Sequence, residues 1–237
     1  MAASGLAGSP RRYGTARATL TTPMTIRVLI ADDHSVVAEG LRYLIREQPD
    51  MEVIGCASDG REAVRWALGS RPDIVLMDSA MPELNGTEAT RLICEHLSHT
   101  RVIMLSMYSD PVHVSRALQA GASGYVVKKS VAKELLDALR AVHAGKRYLG
   151  GSLGETVHEQ FVAGSAAADP IALLSSRERQ VLQMLAEGAA VTHIARVLSL
   201  SPKTVETYRS RMMEKLGIRD LANLVRFAIR QGITPFE

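Results

Sequence analysis

Between residues 26 and 148 the chain alternates short apolar runs with stretches of helical spacing. Ile26–Ala31 is the first run and ends in Asp32-Asp33, after which Val37, Leu41, Leu44 and Ile45 recur at the intervals of an amphipathic helix. Met51–Ala57 predicts a second strand and Gly60–Leu68 a short helix. Ile74–Met77 predicts a third strand, ending at Asp78, with a helix over about Thr87–Leu97. Arg101–Leu105, ending at Ser106, comes fourth, with a helix over Pro111–Gln119. Gly124–Val127, ending at Lys128, comes fifth, and Leu135, Leu136, Leu139 and Val142 then line one side of a helix. Short runs as uniformly apolar as Ile74–Met77 mark strands buried on both faces. Five strands and five helices in strict alternation predict an α/β domain, a parallel sheet covered by helices on both sides.

The rhythm breaks at residues 144–170. Leu153–Val162 reads as a helical turn or two and Gly164–Pro170 as a flexible tether, with a coil-like span on the order of 15 Å. Beyond it every signal is helical. Ser175 with Glu178 makes a capping-box pattern ahead of Val181, Leu182 and Leu185, and Gly188 ends that helix. A short helix near Val191–Leu198 follows. Ser201-Pro202 then opens a helix that Gly217 closes, and Asp220 caps a last one with Leu221, Leu224, Val225 and Ala228 on one face. The expected organisation is a disordered tail over 1–25, an α/β domain over 26–145, a linker over 146–170 and a small all-α domain over 171–237.

Charge sharpens this division. The net charge of +3 is made of +3 on residues 1–25, −4 on 26–169 and +4 on 170–237. An acidic body joined to a basic helical end points to a polyanion met by the helical end alone. The tail lacks the apolar core of a secretory signal, and no apolar run approaches the ~18 residues of a membrane span. Cys56 and Cys94 share no metal-type spacing and sit in apolar stretches, which reads as buried thiols in a reducing compartment, the cytoplasm.

In a parallel sheet the carboxyl ends of all strands emerge on one edge, where ligand sites of open α/β sheets lie. That edge gathers Asp32, Asp33, Asp78, Ser106 and Lys128. Carboxylates in contact repel by ~4 kcal/mol per pair at 4 Å and an effective dielectric of 20, so a cation belongs among them. Few oxygen ligands favour Mg²⁺, which keeps several waters and leaves room for a phosphate oxygen. With Lys128 as a second positive charge and Ser106 as a hydroxyl donor, this is equipment for phosphoryl transfer to the Asp78 carboxylate.

The stretches ADD at 31–33, LMDSAMPELNG at 76–86, VIMLS at 102–106 and GASGYVVKKS at 121–130 resemble the receiver domain of bacterial two-component response regulators over about residues 26–145. The resemblance implies a flavodoxin-like doubly wound fold, with Asp78 accepting phosphoryl from a sensor histidine kinase or a small phosphodonor. It implies Mg²⁺ on Asp32 or Asp33, chiefly Asp33, together with Asp78 and the backbone carbonyl of Ala80. Ser106 and Tyr125 match the switch pair, a hydroxyl that turns toward the phosphoryl group and a ring that follows inward. Ala80, two residues after the acceptor, and Tyr108, two after the switch serine, offer no carboxylate or amide to align an attacking water. A long-lived phosphoryl group is therefore expected.

Val191–Gly217 has the length and punctuation of a helix-turn-helix, with Ser199-Leu200-Ser201 as the turn. Val205, Met212 and Leu216 share one face of its second helix, while Lys203, Thr207, Ser210, Arg211 and Glu214 lie away from it. LLSSRERQVLQMLAEG and LSPKTVETYRSRMMEKLGIRD resemble the LuxR-type DNA-binding domain over about residues 171–235, and the whole chain resembles a NarL/FixJ-type response regulator. This implies double-stranded DNA as partner and a recognition helix in the major groove. Glu206, Thr207 and Ser210 would face base edges, and Lys203, Tyr208, Arg211 and Lys215 would reach phosphates, with Thr204 on the same helix start. A homodimer, formed when phosphorylated, is expected on paired half-sites, with the apolar face of Leu221–Ile229 as candidate dimer surface. His193 departs from the glutamate usual in the family before Ile-Ala, which bears on a cap or salt bridge inside the domain. Two other readings compete: a Mg²⁺-dependent phosphatase working through an aspartyl-phosphate, which would want an acid where Ala80 stands, and a receiver that only docks proteins.

Overall fold

The computed structural model describes residues 25–151, 153 and 169–234. The expected tail over 1–25 up to residue 24, the helical turns over Leu153–Val162 beyond Leu153 itself, and the tether before Asp169 lie outside the described residues.

Six parallel strands form one sheet in the order β2-β1-β3-β4-β5-β6. They are β1 (Ile26–Ala31), β2 (Met51–Ala57), β3 (Ile74–Asp78), β4 (Arg101–Ser106), β5 (Gly124–Val127) and β6 (Tyr148–Leu149). The sequence reading stopped at five strands. The sixth is two residues long, too short to carry an apolar period, and it adds to the edge of β5 with Gly124 opposite Tyr148. The sheet thus runs past residue 145 into what was expected to be linker.

Helices α1 (Ser35–Arg46), α2 (Gly60–Ser70), α3 (Gly86–His96), α4 (Pro111–Gln119) and α5 (Val131–His143) connect the strands. Alternate strand residues serve opposite faces, as a pleat of period two requires. Leu29, Ala31, Val75, Met77, Val102 and Met104 pack with α2, α3 and α4. Val28, Ile30, Ile74, Leu76, Ile103 and Leu105 pack with α1 and α5. This double coverage explains why the strands read as unbroken apolar runs. β1 lies between β2 and β3, so the chain order reverses there, and the crevice outside β1 and β3 is the topological switch point of a doubly wound sheet.

The second domain has its own core, built on Ile171, Val181, Leu182, Ile194, Leu198, Val205, Met212 and Leu224. Its helices are α6 (Ser176–Ala186), α7 (Val191–Leu198), α8 (Pro202–Leu216) and α9 (Leu221–Arg230). Ser175 and Glu178 close the expected capping box on α6. Between α7 and α8 the chain turns at Ser199, which takes a left-handed φ of 55°, and Ser201 caps α8 through Thr204 N–H with Pro202 in the first turn. Leu224 and Ala228 of α9 are core residues, which leaves Leu221 as the exposed apolar side chain of the face expected to dimerise.

Candidate functional site

The acidic site is assembled by backbone placement. β3 ends at Asp78, a residue 3% exposed, and β1 delivers Asp32, also 3% exposed, at the neighbouring mouth. Gly86 opens α3 beside them. A Cβ there would lie 1.9 Å from the Asp78 carbonyl oxygen, so only glycine lets α3 start this close to the strand end.

Lys128, on the turn after β5, places Nζ 2.9 Å from Asp32 Oδ2 and 2.9 Å from Asp78 Oδ2. Burial pushes the Asp78 carboxyl up to about 6, with the Asp32 charge adding to the effect and the Lys128 ammonium opposing it. For Lys128 burial acts downward, but the two carboxylates prevail and hold its ammonium above the ordinary lysine value. Asp33 lies at the rim, where the ring of His34 bonds its Oδ1 through Nδ1 at 2.9 Å, and the His34 N–H donates to Asp32 Oδ1 at 2.9 Å. Asp32, Asp33, His34 and Asp78 bring ligand atoms within 4.8 Å of one another. The sequence reading passed over His34, although its place directly after two acids at a strand end was the available signal.

The donors are hard carboxylate oxygens. The Asp32 Oδ2 atom is buried and, apart from its ion pair with Lys128, receives no hydrogen bond from the described residues. These residues fit a small divalent cation of the Mg²⁺ type.

Ser106 is fully buried at the end of β4. Its Oγ accepts from Ser79 Oγ at 3.0 Å and from the Tyr108 N–H at 3.2 Å. Ser79 was not foreseen, since a serine next to Asp78 carries no signal of a partner 27 residues away. Tyr125 is already inward: the residue is 1% exposed and its hydroxyl donates to the Tyr108 carbonyl at 2.8 Å, with burial pushing the phenol up to about 12. Tyr108 in turn stacks on His113, ring centroids 4.4 Å apart.

On α8, Lys203, Thr207, Ser210 and Arg211 are exposed, while Thr204, Glu206 and Tyr208 are half-buried. Thr204 is part of the Ser201 cap, Glu206 pairs with Arg209 at 3.3 Å, and Tyr208 packs against the domain core. Lys215 does not extend freely. Its Nζ donates to Glu178 Oε2 at 2.7 Å, tying α8 to the start of α6. His193 stands against Arg196, its Nδ1 2.9 Å from the guanidinium.

The two domains touch beside the acidic site. Glu88 of α3, 1% exposed, pairs with Arg179 of α6 and accepts from Ser176 Oγ at 2.7 Å. The Gln183 amide accepts from the Asn85 N–H at 2.7 Å and donates to the Met81 carbonyl at 2.8 Å. Arg116 of α4 binds Asp169 through two nitrogens and the Gln231 carbonyl through a third, at 2.7 Å. Gly232 sits on the Tyr108–His113 stack, where a Cβ would come 2.6 Å from His113 Nε2. No sequence pattern identifies these pairs, because each joins residues far apart along the chain.

A doubly wound sheet with an acid cluster and a lysine at its switch point, followed by a basic helix-turn-helix, is the architecture of a DNA-binding response regulator. The response regulator receiver domain family matches residues 28–140, and the bacterial regulatory proteins of the luxR family match residues 172–228. The response regulator UvrY of Escherichia coli K12 is 37% identical over 212 residues, covering 90% of this chain and 97% of that protein. The oxygen regulatory protein NreC of Staphylococcus aureus is 35% identical over 217 residues, covering 89% and 100%. RcsB from Salmonella enterica serovar Typhimurium, bound to promoter rprA with the phosphomimetic BeF₃⁻, superposes with a TM-score of 0.60 at 26% identity over 86% of this chain and 98% of that one. The chain belongs to the NarL/FixJ-type response regulators, transcription regulators built of a receiver and a LuxR-type DNA-binding domain. Among the described residues no helix is long and apolar enough to cross a membrane, and Cys56 and Cys94 are unpaired and half-buried rather than fully buried.

Proposed function

We propose that Asp78 accepts a phosphoryl group from a sensor histidine kinase, and that the modified chain pairs with a second copy on promoter DNA. The observation that carries this reading is the buried Asp78 carboxylate held 2.9 Å from the Lys128 ammonium at the sheet's switch point. In the transfer, an Asp78 oxygen forms a bond to phosphorus as the bond from phosphorus to the donor's histidine nitrogen, or to acetate in acetyl phosphate, breaks. Lys128 is placed to offset the charge of the phosphoryl oxygens, and Ser106, which accepts from Ser79, has its own hydroxyl proton to donate to one of them. Asp32, Asp33, chiefly Asp33, Asp78 and the Ala80 carbonyl would hold Mg²⁺, which supplies positive charge beside the phosphoryl oxygens when bound.

Lys203, Thr204, Glu206, Thr207, Tyr208, Ser210, Arg211 and Lys215 form the proposed DNA face. Its exposed cations and hydroxyls on α8 support backbone and base contact in a major groove. The promoter complex of RcsB supports the same use of the related domain. Lys215 joins that face by leaving Glu178. The contacts between domains support a population shift: the docked form is favoured without phosphate and a paired, DNA-bound form with it. The cytoplasm is the compartment that free thiols and a DNA target suit.

Ala80 and Tyr108 offer no carboxylate or amide to align water at the acceptor, so the phosphoryl group is long-lived. Purified phosphoprotein should keep its label well beyond minutes, and a half-life of seconds without a phosphatase would contradict this. The reading as a whole is tested by selecting genomic DNA fragments with and without acetyl phosphate. Enrichment of two-fold related half-sites with acetyl phosphate supports it, and identical unselective recovery in both arms counts against it.

A further inference from the structure

Gln183 belongs to the DNA-binding domain, yet its side chain completes the hydrogen bonding of the loop that follows Asp78. The loop over residues 79–85 leaves the acceptor strand and enters α3. Met81 offers a carbonyl and Asn85 an N–H, and both are taken by the one Gln183 amide at 2.8 and 2.7 Å. That amide is fully buried. Its Nε2 also donates to Glu187 Oε1 at 2.7 Å, and Glu187 Oε2 accepts from the Glu83 N–H at 3.2 Å. Glu83 has a φ of 61°, a left-handed conformation that costs a non-glycine residue energy and persists where surrounding contacts hold it.

The same loop begins with Ser79, whose hydroxyl engages Ser106. In the docked form, then, one loop is held at Ser79 by the switch serine and at Met81, Glu83 and Asn85 by the other domain. Ser106 accepts the bond from Ser79, so its own proton is free for a phosphoryl oxygen, and a Ser106 side chain that rotates toward one shifts the partner of Ser79 at the head of the loop. A cavity of about 40 Å³ bordered by Ser79, Ser106, Tyr125, Arg179 and Gly232 lies between the switch and the second domain.

On the reading that Asp78 is the acceptor, we infer that Gln183 is a positioning residue for phosphoryl acceptance, acting from the DNA-binding domain. It holds the 79–85 loop in the geometry of the unmodified site and so slows acceptance at Asp78. Coupling free energies are reciprocal: if phosphorylation weakens docking, docking weakens phosphorylation to the same extent. DNA that favours the undocked form promotes acceptance by the same linkage.

The test compares the full chain with Gln183→Ala and with Glu88→Ala, which breaks docking from the receiver side and leaves the DNA-binding domain unaltered. Beryllofluoride affinity with Mg²⁺ and the rate of labelling by acetyl phosphate are measured, alongside the urea midpoint of the helical domain. Both variants should bind beryllofluoride and take label about five- to tenfold more readily, the scale of a modest coupling between sites. A role for Gln183 confined to packing α6 would move the urea midpoint alone. Values within twofold of the parent in both variants, or a decrease, would overturn the inference, and a gain in Glu88→Ala alone would overturn the assignment to Gln183. Asp78→Asn labelled as well as the parent would instead remove the acceptor reading beneath it.

Discussion

Lys128 and Asp78 lie 2.9 Å apart, nitrogen to oxygen, and the same Lys128 nitrogen stands 2.9 Å from Asp32. One partly buried ammonium therefore answers two buried carboxylates drawn from different strands. Removing it leaves like charges facing each other in a site from which water is largely excluded. Lys128→Ala should lower the stability of the receiver by about 3 kcal/mol without divalent cation, and Mg²⁺ should restore part of the loss. Urea unfolding with and without Mg²⁺ reads this. A variant as stable as the parent in chelator would show that the pair is not holding the site together.

Lys203 and Lys215 were both expected on DNA phosphates, but Lys215 is held by Glu178 inside the helical domain, whereas Lys203 is exposed. Lys203→Ala should weaken binding evenly across sequences and reduce the slope of log affinity against log salt by about 1. Lys215→Ala should cost folding stability as well, because it removes the 2.7 Å partner of Glu178. Anisotropy titrations at several salt concentrations, set beside melting curves, separate the two effects. A loss confined to one base position in Lys203→Ala would contradict a phosphate role.

Glu178 gives the helical domain a defined pH dependence. Burial alone would raise its carboxyl, but the Lys215 ammonium and the Ser175 N–H and hydroxyl outweigh it and hold the group below the ordinary glutamate value of 4.5. A depressed carboxyl contributes stability that is present above the ordinary value and is lost as pH falls through the lower, folded one. Glu178→Gln should therefore destabilise the domain by about 1 kcal/mol at pH 7. The gap should close as the parent is acidified below pH 4.5. Circular dichroism melts across that range check the sign, and a gap that widens on acidification would contradict it.

Much of this molecule was legible in its sequence, for physical reasons. Strands covered on both faces write themselves as apolar runs, so Ile74–Met77 and its acid at the carboxyl end stood out. Ser201-Pro202 and Gly217 marked the bounds of α8 because caps obey local chemistry. Three features were not legible. β6 is two residues long and forms only because β5 offers an open edge. Ser79 meets Ser106 through strand register, which brings the ends of β3 and β4 together. Glu88, in the first turn of α3, pairs with Arg179 across the domain boundary. Contacts of that kind depend on how two finished domains meet.

The central claim is that one carboxylate, Asp78, takes the phosphoryl group and thereby governs the rest of the chain. Intact-mass spectrometry of the full chain after acetyl phosphate and Mg²⁺, run against Asp78→Asn, tests this most directly. The account predicts one added phosphoryl group on the parent and none on the variant. Equal labelling of both, or no labelling of the parent, would contradict it.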